Sequence, residues 1–176
     1  MNLLAKWKVC SRNQIATILF SQNANPVYSA TKTMKRLSMN GLVKPIIRKK
    51  DESYLYTANP SAIHPNSNKI NHQLKLLDYY IEAKQPTQCV IEPILGKYEP
   101  DILYRDEMNR SVCVEIQLTK ISTKRMQEKI NNFIEEYGAN HDAKILYICT
   151  SVLYKDLKTK QGFKVIQRNL PKEVVF

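Results

Sequence analysis

Residues 100–120 read PDILYRDEMNRSVCVEIQLTK, and this stretch decides how the second half of the chain folds. From Ser111 to Gln117 the residues alternate, with Val112, Val114 and Ile116 on one side and Cys113, Glu115 and Gln117 on the other, the period of a strand. Residues 101–105 form a second β-prone run, and 106–110 supply the polar, turn-forming stretch between them. If the two runs pair as a hairpin, Asp101 and Glu115 approach each other near one end. Two carboxylates there repel unless a cation lies between them, and such hard oxygen ligands suit Mg²⁺. The alternative is an acid at a strand end and a partly exposed Glu on a sheet face.

Outward from this hairpin, Ile70, Leu74, Leu77, Tyr80 and Ile81 predict a helix, and residues 88–92 a further strand. Downstream, Met126, Ile130, Phe133, Ile134 and Tyr137 stripe a long helix capped by Ser122 or Thr123. A buried strand is expected over 144–150, a short helix near 152–160 and a last strand near 163–166. The expected order is helix, three strands, helix, strand.

The first 50 residues contain ten Lys or Arg and no Asp or Glu, and through residue 60 only Asp51 and Glu52 are added. This third of the chain therefore holds most of the net charge of +11. A one-signed surface of this kind points to nucleic acid. Ser11 and Gln14 have capping-box spacing, followed by Ile15, Ala16, Ile18 and Leu19 as an apolar stripe. After a polar break, Asn25 caps and Pro26 opens a second helix with Val27, Ala30, Met34 and Leu37 inward. Its other face carries Tyr28, Thr31, Lys32, Lys35, Arg36 and Met39. Asn40-Gly41 stops it, and residues 42–48 and 53–57 read as a hairpin with a basic tip.

Helix, turn, helix, hairpin is the order of a winged helix-turn-helix. Its second helix enters the major groove, so Tyr28, Ser29 and Thr31 are candidates for base edges. Lys32, Lys35, Arg36, Arg48, Lys49 and Lys50 are candidates for phosphates.

With 43% apolar residues and four glycines, the composition is that of a folded chain. The polar, proline-containing segment 61–68 divides it into domains 1–60 and 69–176. No apolar run approaches bilayer length and no signal-peptide pattern opens the chain, so a cytoplasmic location is expected. Cys10, Cys89, Cys113 and Cys149 show no Cys-x-x-Cys spacing and are expected as free thiols, mostly buried.

The αβββαβ order, with Pro100-Asp101 and then Glu115-Ile116-Gln117, resembles the PD-(D/E)xK endonuclease superfamily. More narrowly, the chain resembles the replication-relaxation family of plasmids and mobile elements. That family joins a winged helix to a nuclease-like domain, with a His-x-Leu similar to His72-Gln73-Leu74. The resemblance implies an α/β (α+β) fold of winged helix plus restriction-endonuclease-like domain, and catalytic positions at Asp101, Glu115 and Gln117. Gln117 stands where a nuclease carries lysine, and an amide supplies neither the charge nor the proton handling. Lys120 or Lys124 is then the candidate substitute.

The expectation is a sequence-specific double-stranded DNA-binding protein of a mobile element, acting in replication, transfer or transcriptional control. Its nuclease-like domain is expected to be silent, a platform for a second copy of the chain, a replication initiator or a relaxase. Binding of this kind needs no cofactor. The alternative is a metal-dependent endonuclease with Mg²⁺ on Asp101 and Glu115.

Overall fold

The computed structural model describes residues 3–46, 54–59, 67–94, 96, 98–140 and 144–174, in two compact units, Met1–Lys84 with Lys172–Phe176, and Gln85–Pro171. The division falls after α4 (Asn68–Glu82). The sequence places that helix at the start of the second domain, but it packs with the first unit.

In the first unit, α1 (Leu3–Trp7) and β1 (Cys10–Ser11) precede α2 (Arg12–Phe20), α3 (Pro26–Met39), β2 (Lys44–Ile46) and β3 (Leu55–Thr57). The capping box forms: Ser11 Oγ accepts from Gln14 N at 3.1 Å and Gln14 Oε1 accepts from Ser11 N at 2.9 Å. Gln14 has a further role, because its amide Nε2 donates to Leu74 O at 2.9 Å and to Asp78 Oδ1 at 2.6 Å. The cap of α2 is thereby also its tie to α4. Asn25 caps α3 through Tyr28 N, and α3 ends in a reversed loop where Gly41, at φ 69°, lets Leu42 N reach Leu37 O.

The strands pair antiparallel in the order β1-β3-β2, with Ser11 and Ile46 both opposite Leu55. Val9, Ile46, Leu55 and Ile70 form the core beneath them, with Leu74 packed alongside. The α2 stripe is narrower than its sequence suggests: Ile15 and Ala16 are buried, whereas Leu19 is 50% exposed.

The second unit is a five-stranded sheet in the order β4-β5-β6-β7-β8. Its strands are Val90–Ile91, Ile102–Arg105, Ser111–Gln117, Ile145–Thr150 and Lys164–Arg168, with α5 (Thr123–Asn140) between β6 and β7. β5 runs antiparallel to both β4 and β6, whereas β6, β7 and β8 are parallel to one another. The α5 stripe Met126, Ile130, Phe133 and Tyr137 is buried with Tyr98, Cys113, Leu146, Ile148 and Tyr154.

The helix expected near 152–160 does not form. Its backbone groups are claimed by side chains instead. Gln127 bonds both the N–H and the carbonyl of Lys158, and Gln167 does the same for Tyr154, at 2.7–2.9 Å. Those long-range amides replace the i to i−4 bonds that a helix would make.

Candidate functional site

The β5–β6 hairpin places the carboxylates. Ile102 lies opposite Val114, so the next antiparallel step sets Asp101 against Glu115. Asp101 N donates to Val114 O at 3.0 Å, and Asp101 Oδ2 accepts from Ile116 N at 2.6 Å. The side chain thus continues the ladder past the strand's end and is fixed by it. Glu115 points to the α5 side of the sheet and is 4% exposed.

A buried carboxylate needs a counter-charge, and α5 supplies it. Lys129 Nζ lies 2.7 Å from Glu115 Oε2. Burial is the largest effect on Glu115 and raises its pKa; the neighbouring Asp101 adds to this, while Lys129 opposes it. Tyr98 is buried close by. Burial first and the Glu115 charge second push its hydroxyl well above the usual range. The hydroxyl lies beside Glu115, close enough for the two groups to act on one another, although no hydrogen bond of good geometry joins them. Below it, burial pushes the Cys113 thiol up to about 12, so this thiol is packing rather than a nucleophile.

Lys129 is the residue missed from sequence, and a signal for it exists. It follows Met126 by three and precedes Phe133 by four, so it occupies a position on the apolar stripe of α5. A lysine on a core stripe needs a buried acid to meet. The cations expected there, Lys120 and Lys124, are both exposed, and neither forms an ion pair among the described residues. Gln117 is turned away, its Nε2 donating to Thr119 O at 2.8 Å. Strand alternation puts it on the Glu115 face, but the chain's bend after β6 offers it a nearer carbonyl.

Asp101 and Glu115 are hard oxygen donors, and among the described residues no third His, Cys, Asp or Glu joins them. This is the donor set that suits Mg²⁺, which takes one or two carboxylates and completes its shell with water and substrate phosphate. The Tyr98 hydroxyl, beside Glu115, is one further polar group at this place.

On α3 the expected outward face stands: Tyr28, Thr31, Lys32, Lys35, Arg36 and Met39 are all exposed. Tyr28, a base-reading candidate, is 63% exposed. Ser29 and Thr31 are less available. Ser29 Oγ accepts from Asn23 Nδ2 at 2.9 Å, and Thr31 Oγ1 spends its proton on Val27 O at 2.8 Å, the usual back-bond of a helical threonine. Arg48, Lys49 and Lys50 lie outside the described residues. Among the described residues no helix is long and apolar enough to cross a membrane, and none of Cys10, Cys89, Cys113 and Cys149 is in a disulfide.

No protein-family model and no curated protein matches the chain. Among solved structures it is similar to a repair endonuclease from Pyrococcus abyssi, at 15% identity and a TM-score of 0.37 over 68% of this chain and 53% of that one. It is also similar to EndoMS in a complex with double-stranded DNA, at 17% identity and a TM-score of 0.39 over 74% of this chain and 62% of that one. The chain therefore spans only a little over half the length of these proteins.

Proposed function

We propose that the chain is a double-stranded DNA-binding protein whose second unit is a metal-dependent endonuclease. The observation that carries the proposal is Lys129, which stands 2.7 Å from Glu115 and supplies the cation that Gln117 lacks. Together with Asp101 opposite Glu115, it assembles two acids and a lysine at the end of a strand hairpin backed by a parallel βαβ unit. That arrangement supports a PD-(D/E)xK-like site whose lysine has moved from the third strand to the following helix.

Bound at Asp101 and Glu115, a divalent ion would polarise the phosphoryl oxygen and lower the pKa of attacking water. The chain's own groups do the rest. The backbone bond to Ile116 holds Asp101 in place. Lys129 favours the charged form of Glu115 against its burial, and being 39% exposed it also reaches solvent, where a scissile phosphate would lie. A fixed cation there offsets charge that develops on the phosphate as the bond breaks.

The first unit supports a winged-helix reading, with α3 as the helix that meets DNA. The resemblance to the replication-relaxation family suggests a mobile element as the setting. A second reading, DNA binding with a silent nuclease-like unit, is favoured by one observation, the engagement of Gln117 with Thr119 O in place of a strand lysine.

Incubating the protein with supercoiled and linear duplex DNA tests the proposal, with Mg²⁺, with Mn²⁺ and with chelator. Cutting that requires the ion is expected; duplex binding without cutting under any ion would leave the second reading standing.

A further inference from the structure

The two ends of the five-stranded sheet are charged in different ways. At the β5–β6 turn, Asp106 pairs with Arg110 at 2.7 Å and Arg105 donates to Asn109 O at 2.9 Å, so the cations there are satisfied by their own hairpin. At the opposite end the chain leaves β6 after Gln117 and β7 after Thr150. The segments that follow, 118–125 and 151–158, carry Lys120, Lys124, Arg125, Lys155 and Lys158 against a single acid, Asp156. All five cations are exposed, and none forms an ion pair among the described residues.

These cations are not on independent loop tips. The two segments are fastened side by side: Tyr154 Oη accepts from Ile121 N at 3.2 Å, and the Gln127 amide bonds both backbone groups of Lys158 at 2.8 and 2.9 Å. Gln167 in turn holds the backbone of Tyr154. Fixing like charges near one another raises the energy of the free protein, and an anionic partner removes that cost. They also lie at the end of the sheet that holds Asp101 and Glu115, whose negative charges would by themselves repel such a partner.

We infer that this rim is a phosphate-contact surface of the second unit, holding a nucleic-acid backbone across the carboxylate end of the sheet independently of α3. A phosphodiester chain, with its many anions, fits it because the cations are spread over two segments tied to one another. The inference rests on the proposed function only in placing a phosphodiester at Asp101 and Glu115.

The test uses the full chain in chelator, with binding to a fluorescent duplex of random sequence followed across a salt titration. Lys120→Glu/Lys124→Glu/Arg125→Glu and Lys155→Glu/Lys158→Glu are compared with Lys32→Ala/Lys35→Ala/Arg36→Ala. Each rim set is expected to weaken binding about tenfold and to flatten the plot of log affinity against log salt by about 0.9 per lost contact. The same loss is expected when the α3 substitutions are already present. Lysine-to-arginine versions of the rim should bind as the wild type does. An unchanged slope in both rim sets overturns the inference, and so does tighter rim-dependent binding to anionic lipid vesicles or polyglutamate than to duplex. Cutting by the wild type in Mg²⁺, measured alongside, separates the two ideas. Cutting with rim-independent binding removes the rim and keeps the nuclease, while rim-dependent binding without cutting removes the nuclease and keeps the rim.

Discussion

Lys32, Lys35 and Arg36 on α3 and Lys129 on α5 are all helix cations, yet they stand in opposite physical situations. The three on α3 are exposed, so their charges cost nothing in desolvation and are screened by salt. Lys129 is drawn against Glu115, a carboxylate at 4% exposure, where charge is expensive and each partner depends on the other. A surface of the first kind spreads its effect over many replaceable contacts. A site of the second kind concentrates it in two or three groups, which is what chemistry requires and binding does not.

The contrast breaks most visibly in activity. Asp101→Asn or Glu115→Gln should abolish cutting, and Lys129→Met should lower its rate by about 10²–10³-fold, the usual cost of one preorganised group that stabilises developing charge. Affinity for duplex should be retained in all three, since the exposed cations supply it. Rates and affinities measured on the same preparations decide the matter. Equal loss of binding and cutting in Lys129→Met would mean that the lysine serves the fold or the grip rather than the reaction.

A smaller effect concerns stability and pH. The folded pKa of Glu115 lies above its ordinary value of 4.5, with burial the first cause and Asp101 the second. The stability linked to this group is therefore fully present below about pH 4.5 and is lost as pH rises through the raised value. Lys129→Met removes the main opposing charge, moves that value higher and deepens the loss at neutral pH. The expected cost is about 2 kcal/mol, below that of a fully buried pair because Lys129 is 39% exposed. Adding Glu115→Gln should restore most of it. Melting curves across pH 4 to 8 for the three proteins check this, and parallel curves for wild type and Lys129→Met would deny the coupling.

The smallest expected effect is informative because it is nearly nil. Gln117→Lys restores the lysine at its strand position, but the side chain there is turned to Thr119 O and the cation at Glu115 is already Lys129. No gain in cutting should follow in the wild-type background, whereas a partial rescue of Lys129→Met would sharpen the view that one role has moved between two positions. A large gain in the wild type would show that Lys129 does not fill the role.

Much of this was legible in the chain itself. The cap at Ser11 and Gln14, the stop at Asn40-Gly41, the two faces of α3, the alternation of Ser111–Gln117 and the meeting of Asp101 with Glu115 all follow from neighbours near in sequence. What escaped was of another kind. The two-residue β1 has no periodicity of its own and exists because Cys10 and Ser11 pair with Tyr56 and Leu55. The segment 152–160 has a helical pattern but loses its backbone groups to Gln127 and Gln167. Gln14 reads as a cap, and its bonds to Leu74 and Asp78 come from a helix some 60 residues away.

The sequence by itself determined the local elements and the charge, because caps, turns and hydrophobic periods act over a few residues and need no partner to be read. Only the tertiary structure decided which of several lysines meets Glu115. That choice is made where α5 packs on β6, by the long-range fit of Met126, Ile130 and Phe133 against the sheet, and it turns Lys129, one turn along the same stripe, toward the only buried acid of that strand.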